Sequence, residues 1–193
     1  MDGKRTAETV AVPVEALTAS AFAPYGWLLA GGLAAPSHAR PGLDVWALPF
    51  RAAAPVRLQI MRYRHQAMRF SQLERHVGVT EGRTPLAGSA AVLVVAGTTD
   101  NADPRAVPAP DVLRAFLMDG SCGVMFRPGL WHALDCFPLT PPYADFLFLS
   151  DEATETEIEA QSRPASGRWT HVVDYAETLG LGFAVSDPAG LLS

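Results

Sequence analysis

The 193-residue sequence predicts an all-β chain, a sandwich or barrel of jelly-roll type with short helical segments near its ends, on three observations. From Val45 onward, short apolar and β-branched runs recur between Gly, Pro and Asp clusters, without intervening helices. A hydrophobic content of 49% at this length supplies one sizeable core rather than two. His and Glu residues also recur at spacings suited to the mouth of a small barrel, where a jelly roll holds a small ligand.

Taken in order, residues 1–12 read as disordered. Val14 to Ser20 reads as a short helix that runs into a turn at Pro24-Tyr25-Gly26 and then a strand at Trp27 to Ala30. The candidate strands that follow are Val45 to Phe50, Val56 to Tyr63, Met68 to His76, Arg83 to Leu86, Ala90 to Ala96, Val112 to Phe116, Gly123 to Phe126, Trp131 to Cys136 and Tyr143 to Leu149. Turn chemistry separates them at Pro55, Gly78, Gly97 to Pro110 and Gly120. The Pro- and Asp-rich stretch Thr98 to Pro110 reads as a surface excursion. The acidic run Asp151 to Glu159 suits a helix start, where carboxylates meet the positive end of the helix dipole. A second short helix at Tyr175 to Leu179 is closed by Gly180. The whole is expected to be a single domain, with residues 14–150 as barrel and lead-in and 151–193 as a tail with short helices.

Charge and composition exclude several classes. A net charge of −5 with scattered arginines argues against nucleic acid and for a small soluble partner. Cys122 and Cys136 fall short of a disulfide framework, and no leader pattern opens the chain, which together give a reduced, cytoplasmic protein. The segment Ala16 to Ala39 lacks acidic and basic residues apart from His38, but Pro24, Pro36 and its glycines break any membrane span. The one lysine, Lys4, leaves no positioned amine for Schiff-base chemistry or a P-loop.

The chemistry-bearing pattern has two parts. The first is Glu74-x-His76, four residues, Glu81, six residues, Gly88; the second is Gly120, eight residues, Gly129, two residues, His132. Strand alternation puts residues 74 and 76 on one face and Arg75 on the other. An isolated Glu-x-His is commonly a solvated face, and it is the joint spacing that points to a site. That spacing resembles the two cupin motifs, with Glu74 where the first His usually stands. The resemblance implies a cupin-type double-stranded β-helix and a divalent metal, nickel, manganese, iron or zinc, held by Glu74, His76, Glu81 and His132.

Ala21-Phe22-Ala23-Pro24-Tyr25-Gly26, Leu73-Glu74-Arg75-His76, Leu113-Arg114-Ala115-Phe116, Pro128-Gly129-Leu130-Trp131-His132 and Asp145-Phe146-Leu147 narrow the likeness. With them the chain resembles the ureidoglycolate lyase family, cupins of allantoin degradation that release urea and glyoxylate, generally as homodimers. It departs from the family pattern at Glu81, where a Gln is usual, at residues 39–44, at Arg127, and at Ala133-Leu134 after the motif His. The substrate so implied is a carbinolamide, whose cleavage needs a hydroxyl proton removed and a leaving nitrogen protonated. A metal held by Glu74, His76, Glu81 and His132 would stabilise the alkoxide; without a metal, Glu81 or Glu74 would be the general base and His132 or His76 the acid. Arg62 and Arg127, and after them Arg83, are the candidates for the substrate carboxylate, because a guanidinium takes it in two-point geometry. His65 and His171 fall in no motif and read as surface or core-edge residues, while Trp131 and both cysteines read as packing groups. The competing readings are a metal-dependent cupin oxygenase or isomerase on another small acid, and a non-catalytic small-molecule-binding barrel.

Overall fold

The computed structural model describes residues 8–191, and in it two facing sheets form a cupin-type jelly-roll barrel. The larger sheet has the strand order Thr170–Asp174, Gln72–His76, Trp131–Ala133, Ala91–Ala96, Arg114–Met118 and Val14–Ala16, with Phe137–Pro138 also paired to Ala91–Ala96. The facing sheet runs Gly26–Leu29, Gly123–Phe126, Glu81–Pro85, Tyr143–Asp151 and Val56–Arg64. A small third sheet joins Glu8–Val12, Leu181–Val185 and Arg69–Phe70, and His38–Arg40 pairs with Leu43–Val45 as a separate hairpin. No helix among the described residues is long and apolar enough to cross a membrane.

Burial follows each strand's neighbours. Val56–Arg64 is an edge strand and alternates between exposed and covered residues, as a sheet with one wet face should. Ala91–Ala96 is buried at every position because both of its faces meet apolar layers. Leu93 and Val95 pack with Phe116, Phe126 and Phe146 between the two large sheets. Val92, Val94 and Ala96 pack outward with Trp131, Tyr175 and Phe183, beneath the third sheet. A continuous apolar run is what a strand between two cores requires.

Several sequence expectations are corrected by long-range pairing. Residues 1–7 lie outside the described residues, but Glu8–Val12 is a strand rather than disordered chain, because it pairs in parallel with Leu181–Val185. Val14 to Ser20 is not a helix: Val14–Ala16 joins the large sheet beside Ala115 to Leu117, and the helix is Ala19–Phe22, capped by the Thr18 hydroxyl accepting from Ala21 N at 3.2 Å. Of the expected strand Val45 to Phe50 only Val45 is in a strand, as the last residue of Leu43–Val45, and Trp131 to Cys136 shortens to Trp131–Ala133. The tail holds two further strands, Thr170–Asp174 and Leu181–Val185, which the sequence reading did not find. The helices Glu152–Glu159 and Tyr175–Leu179 form where expected, and Gly180 ends the second in the left-handed region at φ 68°.

The outward core contains one charged side chain at its centre. Arg75 is fully buried, with its guanidinium 4.7 Å over the Trp131 ring. It donates to His171 Nδ1 (2.9 and 3.1 Å), Thr99 Oγ1 (2.7 Å), Asn101 Oδ1 (3.2 Å) and the carbonyls of Asp100 (2.8 Å) and Asp103 (2.9 Å). The segment expected to be a surface excursion is largely exposed, as expected, but it turns the oxygens of Thr99, Asp100, Asn101 and Asp103 inward to satisfy a buried cation. His171 is 5% exposed and is a core acceptor rather than a surface residue.

Since Arg75 only donates, His171 Nδ1 carries the lone pair and the ring is neutral. Burial and the neighbouring guanidinium both hold its pKa below the ordinary imidazole value. Between the lowered folded pKa and the unfolded value of about 6.5, the unfolded chain binds more protons, so stability is full above that window and falls as pH drops through it. The wild-type urea midpoint should fall more steeply between about pH 7 and 5 than that of His171→Gln, whose amide oxygen accepts without titrating. Parallel profiles would show that His171 does not carry this dependence.

Candidate metal centre

Cross-strand register assembles the inner cluster. His132 pairs with Glu74 and with Val95, so both functional residues share the inward face that Val95 occupies. Phe126 and Val124, also inward, pair with Glu81 and Arg83 on the facing sheet. Two motif glycines make the approach possible. Gly120, at φ 92°, packs against the backbone of Gly88, and Gly129, at φ 81°, lies where a side chain would strike Asn101. Gly129 N also donates to His76 O at 2.8 Å, which ties the second motif to the first.

The His76 and His132 rings lie 5.2 Å apart, and Glu81 Oε2 is 3.3 Å from the Nε2 of each. Glu74 Oε1 is 3.8 Å from His76 Nε2, and the ligand atoms of Glu74, His76 and His132 all fall within 4.8 Å of one another. Two partners meet at His132 Nδ1, the Ala133 carbonyl at 2.9 Å, which accepts, and Arg83 Nη2 at 3.4 Å, which donates; the shorter contact favours the tautomer with its proton on Nδ1. His76 Nδ1 is 3.1 Å from Thr170 Oγ1. Such Nδ1 partners fix ring orientation and leave Nε2 for a ligand.

With its proton on Nδ1, His132 directs an Nε2 lone pair at the carboxylate oxygen Glu81 Oε2, and both buried atoms lack a hydrogen-bond partner. In that tautomer two acceptors face each other at 3.3 Å, an arrangement that a cation between or beside them would satisfy. The donor set of two imidazole nitrogens and carboxylate oxygens fits a divalent first-row metal. Burial alone would raise the pKa of Glu81, but Arg83 and then His132 and His76 more than offset this and hold it well below the ordinary carboxylate range. Glu74 behaves oppositely: burial pushes its pKa up, with His76 opposing and Glu81 adding to the shift.

The arginines fall differently from expectation. Arg83 is 3% exposed inside the barrel, with Nε donating to Glu81 Oε1 at 2.6 Å, so its guanidinium is engaged by a carboxylate of the cluster itself. Arg62 lies on the outer face of its strand, paired with Asp145 at 2.7 and 2.8 Å. Arg127 donates to Ala23 O at 2.9 Å and stacks on Trp27, lining a separate apolar groove with Trp46 and Leu33. The structure thus does not bring Arg62 or Arg127 to the cluster: alternation turns the first outward, and the second leaves the barrel where its strand ends at Phe126.

The cavity that reaches the cluster is about 280 Å³ in volume. Glu74, Thr170 and Val172 form one side, and Leu134, Ile158, Gln161, Ser162, Arg163 and Pro164 form the other. Thr170 and the 161–164 loop had no motif to mark them in the sequence. They belong to the site because Thr170 pairs with His76 across the sheet.

A model of the ureidoglycolate lyase family matches residues 9–166. The chain belongs to the ureidoglycolate lyase family. The ureidoglycolate lyase of Azotobacter vinelandii is 30% identical over 129 residues, covering 62% of this chain and 73% of that protein. That of Pseudomonas paraeruginosa is 38% identical over 65 residues, 34% of this chain and 35% of that protein. RmlC from Streptococcus suis overlaps 50% of the chain at 9% identity with a TM-score of 0.32, a likeness too slight to weigh beside the family match.

Within this ureidoglycolate lyase family member, Glu81 is the acidic group most tightly held. Glu81→Gln should lower retained divalent metal by at least about tenfold, since a neutral amide oxygen is the poorer ligand. It should also destabilise the fold by roughly 3–5 kcal/mol, because Arg83 is left buried without its counter-ion. Elemental analysis and urea unfolding read the two effects separately. Unchanged metal content with lowered stability would make Glu81 a partner of Arg83 alone.

Proposed function

We propose that the protein cleaves ureidoglycolate, or a closely related 2-hydroxy acid carbinolamide, to glyoxylate and urea. The observation that carries this reading is the buried, opposed pair His132 Nε2 and Glu81 Oε2, which suits a cation, within ligand distance of Glu74, whose carboxylate lines a cavity. His76, His132, Glu81 and Glu74 would hold a divalent ion, which when bound supplies positive charge beside the substrate hydroxyl and carboxylate.

The protein's own groups divide the proton work. Glu81 is locked as a carboxylate by Arg83, so it is a poor proton carrier. Glu74 faces the cavity and is the carboxylate not tied to Arg83, so it takes the hydroxyl proton as the carbonyl forms. The same proton then returns to the urea nitrogen as the carbon–nitrogen bond breaks. Leu134, Ile158 and Val172 give this exchange a largely apolar wall.

Purified protein loaded with manganese or nickel should release glyoxylate and urea in equal amounts from ureidoglycolate. Glu74→Gln should reduce kcat by about 10²–10⁴-fold. His132→Ala should lose both activity and metal. Absence of glyoxylate under metal-replete conditions would refute the reaction, and oxygen consumption with iron would instead indicate an oxygenase.

We also infer a homodimer in the cytoplasm. The edge strand Val56–Arg64 presents Val56, Leu58 and Ile60 at 54, 62 and 60% exposure beside its unpaired backbone, a surface suited to a second copy. Ile60→Glu should shift the protein to a monomer in sedimentation. A monomeric wild type would remove the assignment.

A further inference from the structure

The reading of the barrel as a ureidoglycolate-cleaving site leaves the substrate carboxylate without a guanidinium partner, because Arg62, Arg83 and Arg127 are each engaged elsewhere. The cavity beside Glu74 is nevertheless lined by one basic side chain, Arg163, and by the polar Gln161 and Ser162. Arg163 is exposed and takes part in no ion pair among the described residues, so its guanidinium fork is open to a ligand. We propose that Arg163 is the specificity residue of this site, taking the substrate carboxylate while the hydroxyl-bearing carbon lies toward Glu74 and the two histidines.

The loop that carries Arg163 is fixed at both ends. Gln161 Oε1 accepts from Ala165 N at 3.0 Å, closing its near side. At its far side the Glu157 carboxylate accepts from the backbone N–H groups of Arg168 (2.6 Å), Trp169 (3.0 Å) and Thr170 (2.7 Å). Three charge-assisted bonds to consecutive amides set where the loop rejoins the sheet. Thr170, the last of the three, places its hydroxyl 3.1 Å from His76 Nδ1, so one carboxylate registers the Arg163 loop against the metal-binding histidine. Because this rests on the proposed reaction, Arg163 contributes binding to a small carboxylate by a planar two-point contact, while the proton transfer stays with Glu74.

The test uses the metal-loaded full chain and the variants Arg163→Ala, Arg163→Lys and Arg168→Ala. Arg168 is on the same loop but stacks on Trp169, outside the cavity. Arg163→Ala should raise KM for ureidoglycolate at least about tenfold, with kcat changed far less, and Arg163→Lys should fall between it and wild type. Arg168→Ala should match wild type, and metal content should be the same in all four proteins. A second measurement does not need turnover: wild type should bind glycolate in preference to its neutral amide, glycolamide, and Arg163→Ala should lose that preference. If ureidoglycolate is not cleaved but the glycolate preference is present and Arg163-dependent, the reaction is wrong and the carboxylate site stands. If Arg163→Ala keeps wild-type KM and the wild-type preference for glycolate, the proposal is overturned.

Discussion

Strand alternation at Glu74-Arg75-His76 is the constraint on which both halves of the molecule depend. The strand lies between Trp131–Ala133 and Thr170–Asp174, in a sheet with a core on each side. Successive side chains must therefore enter opposite cores. Glu74 and His76 go inward to meet His132 and Glu81, and Arg75 goes outward under Trp131. Arg75 and His76 are buried and Glu74 opens only toward the cavity, so the polar atoms of Arg75 and His76 have to find their partners in protein or in a bound ion. Outward, Thr99 to Asp103 and His171 serve the guanidinium; inward, the histidines and carboxylates serve one another incompletely.

That incompleteness is chemically specific. A barrel interior could be filled by apolar residues at no electrostatic cost, and burying Glu81 with Arg83 is weakly stabilising at best. The pair does have a geometric effect. By occupying Glu81 Oε1, Arg83 leaves Oε2 as the free donor between the two histidines. The His132 proton is held away on the Ala133 side by a carbonyl. The result is a charged, ordered donor set with a shortage of protons at its centre, which is the electrostatic form of a cation site.

Much of this was legible in the residues, and the failures have particular physical causes. The i, i+2 argument that placed Glu74 and His76 on one face applies equally to Glu81 and Arg83, so Arg83 was the arginine to rank first. Arg62 and Arg127 carry the guanidinium chemistry that suits a carboxylate, but that chemistry says nothing of which face they occupy. Arg62 shares its face with exposed Leu58 and Ile60, an alternation visible in the sequence but ambiguous by one residue until the partner strand fixes register. The loop around Arg163 has no periodicity to read. Its position depends on Glu157, whose role as an acceptor for three distant amides follows only from the packing of its helix on the sheet.

The sequence by itself determined the β class, the inward set of Glu and His residues, the helix on the acidic run and the glycine that ends the second helix. Each of these depends on short-range rules: alternation, capping, and the left-handed region open to Gly180. Tertiary structure alone decided that Glu8–Val12 and Leu181–Val185 are strands, since each exists by pairing with the other across most of the chain. It also decided that the exposed loop Thr98 to Pro110 turns a few acceptors inward, because a buried Arg75 needs them, and that Arg163 lines the cavity beside Glu74. Hydrogen-bond partners and counter-ions are satisfied wherever the fold brings them, and their distance along the chain carries no trace of that choice.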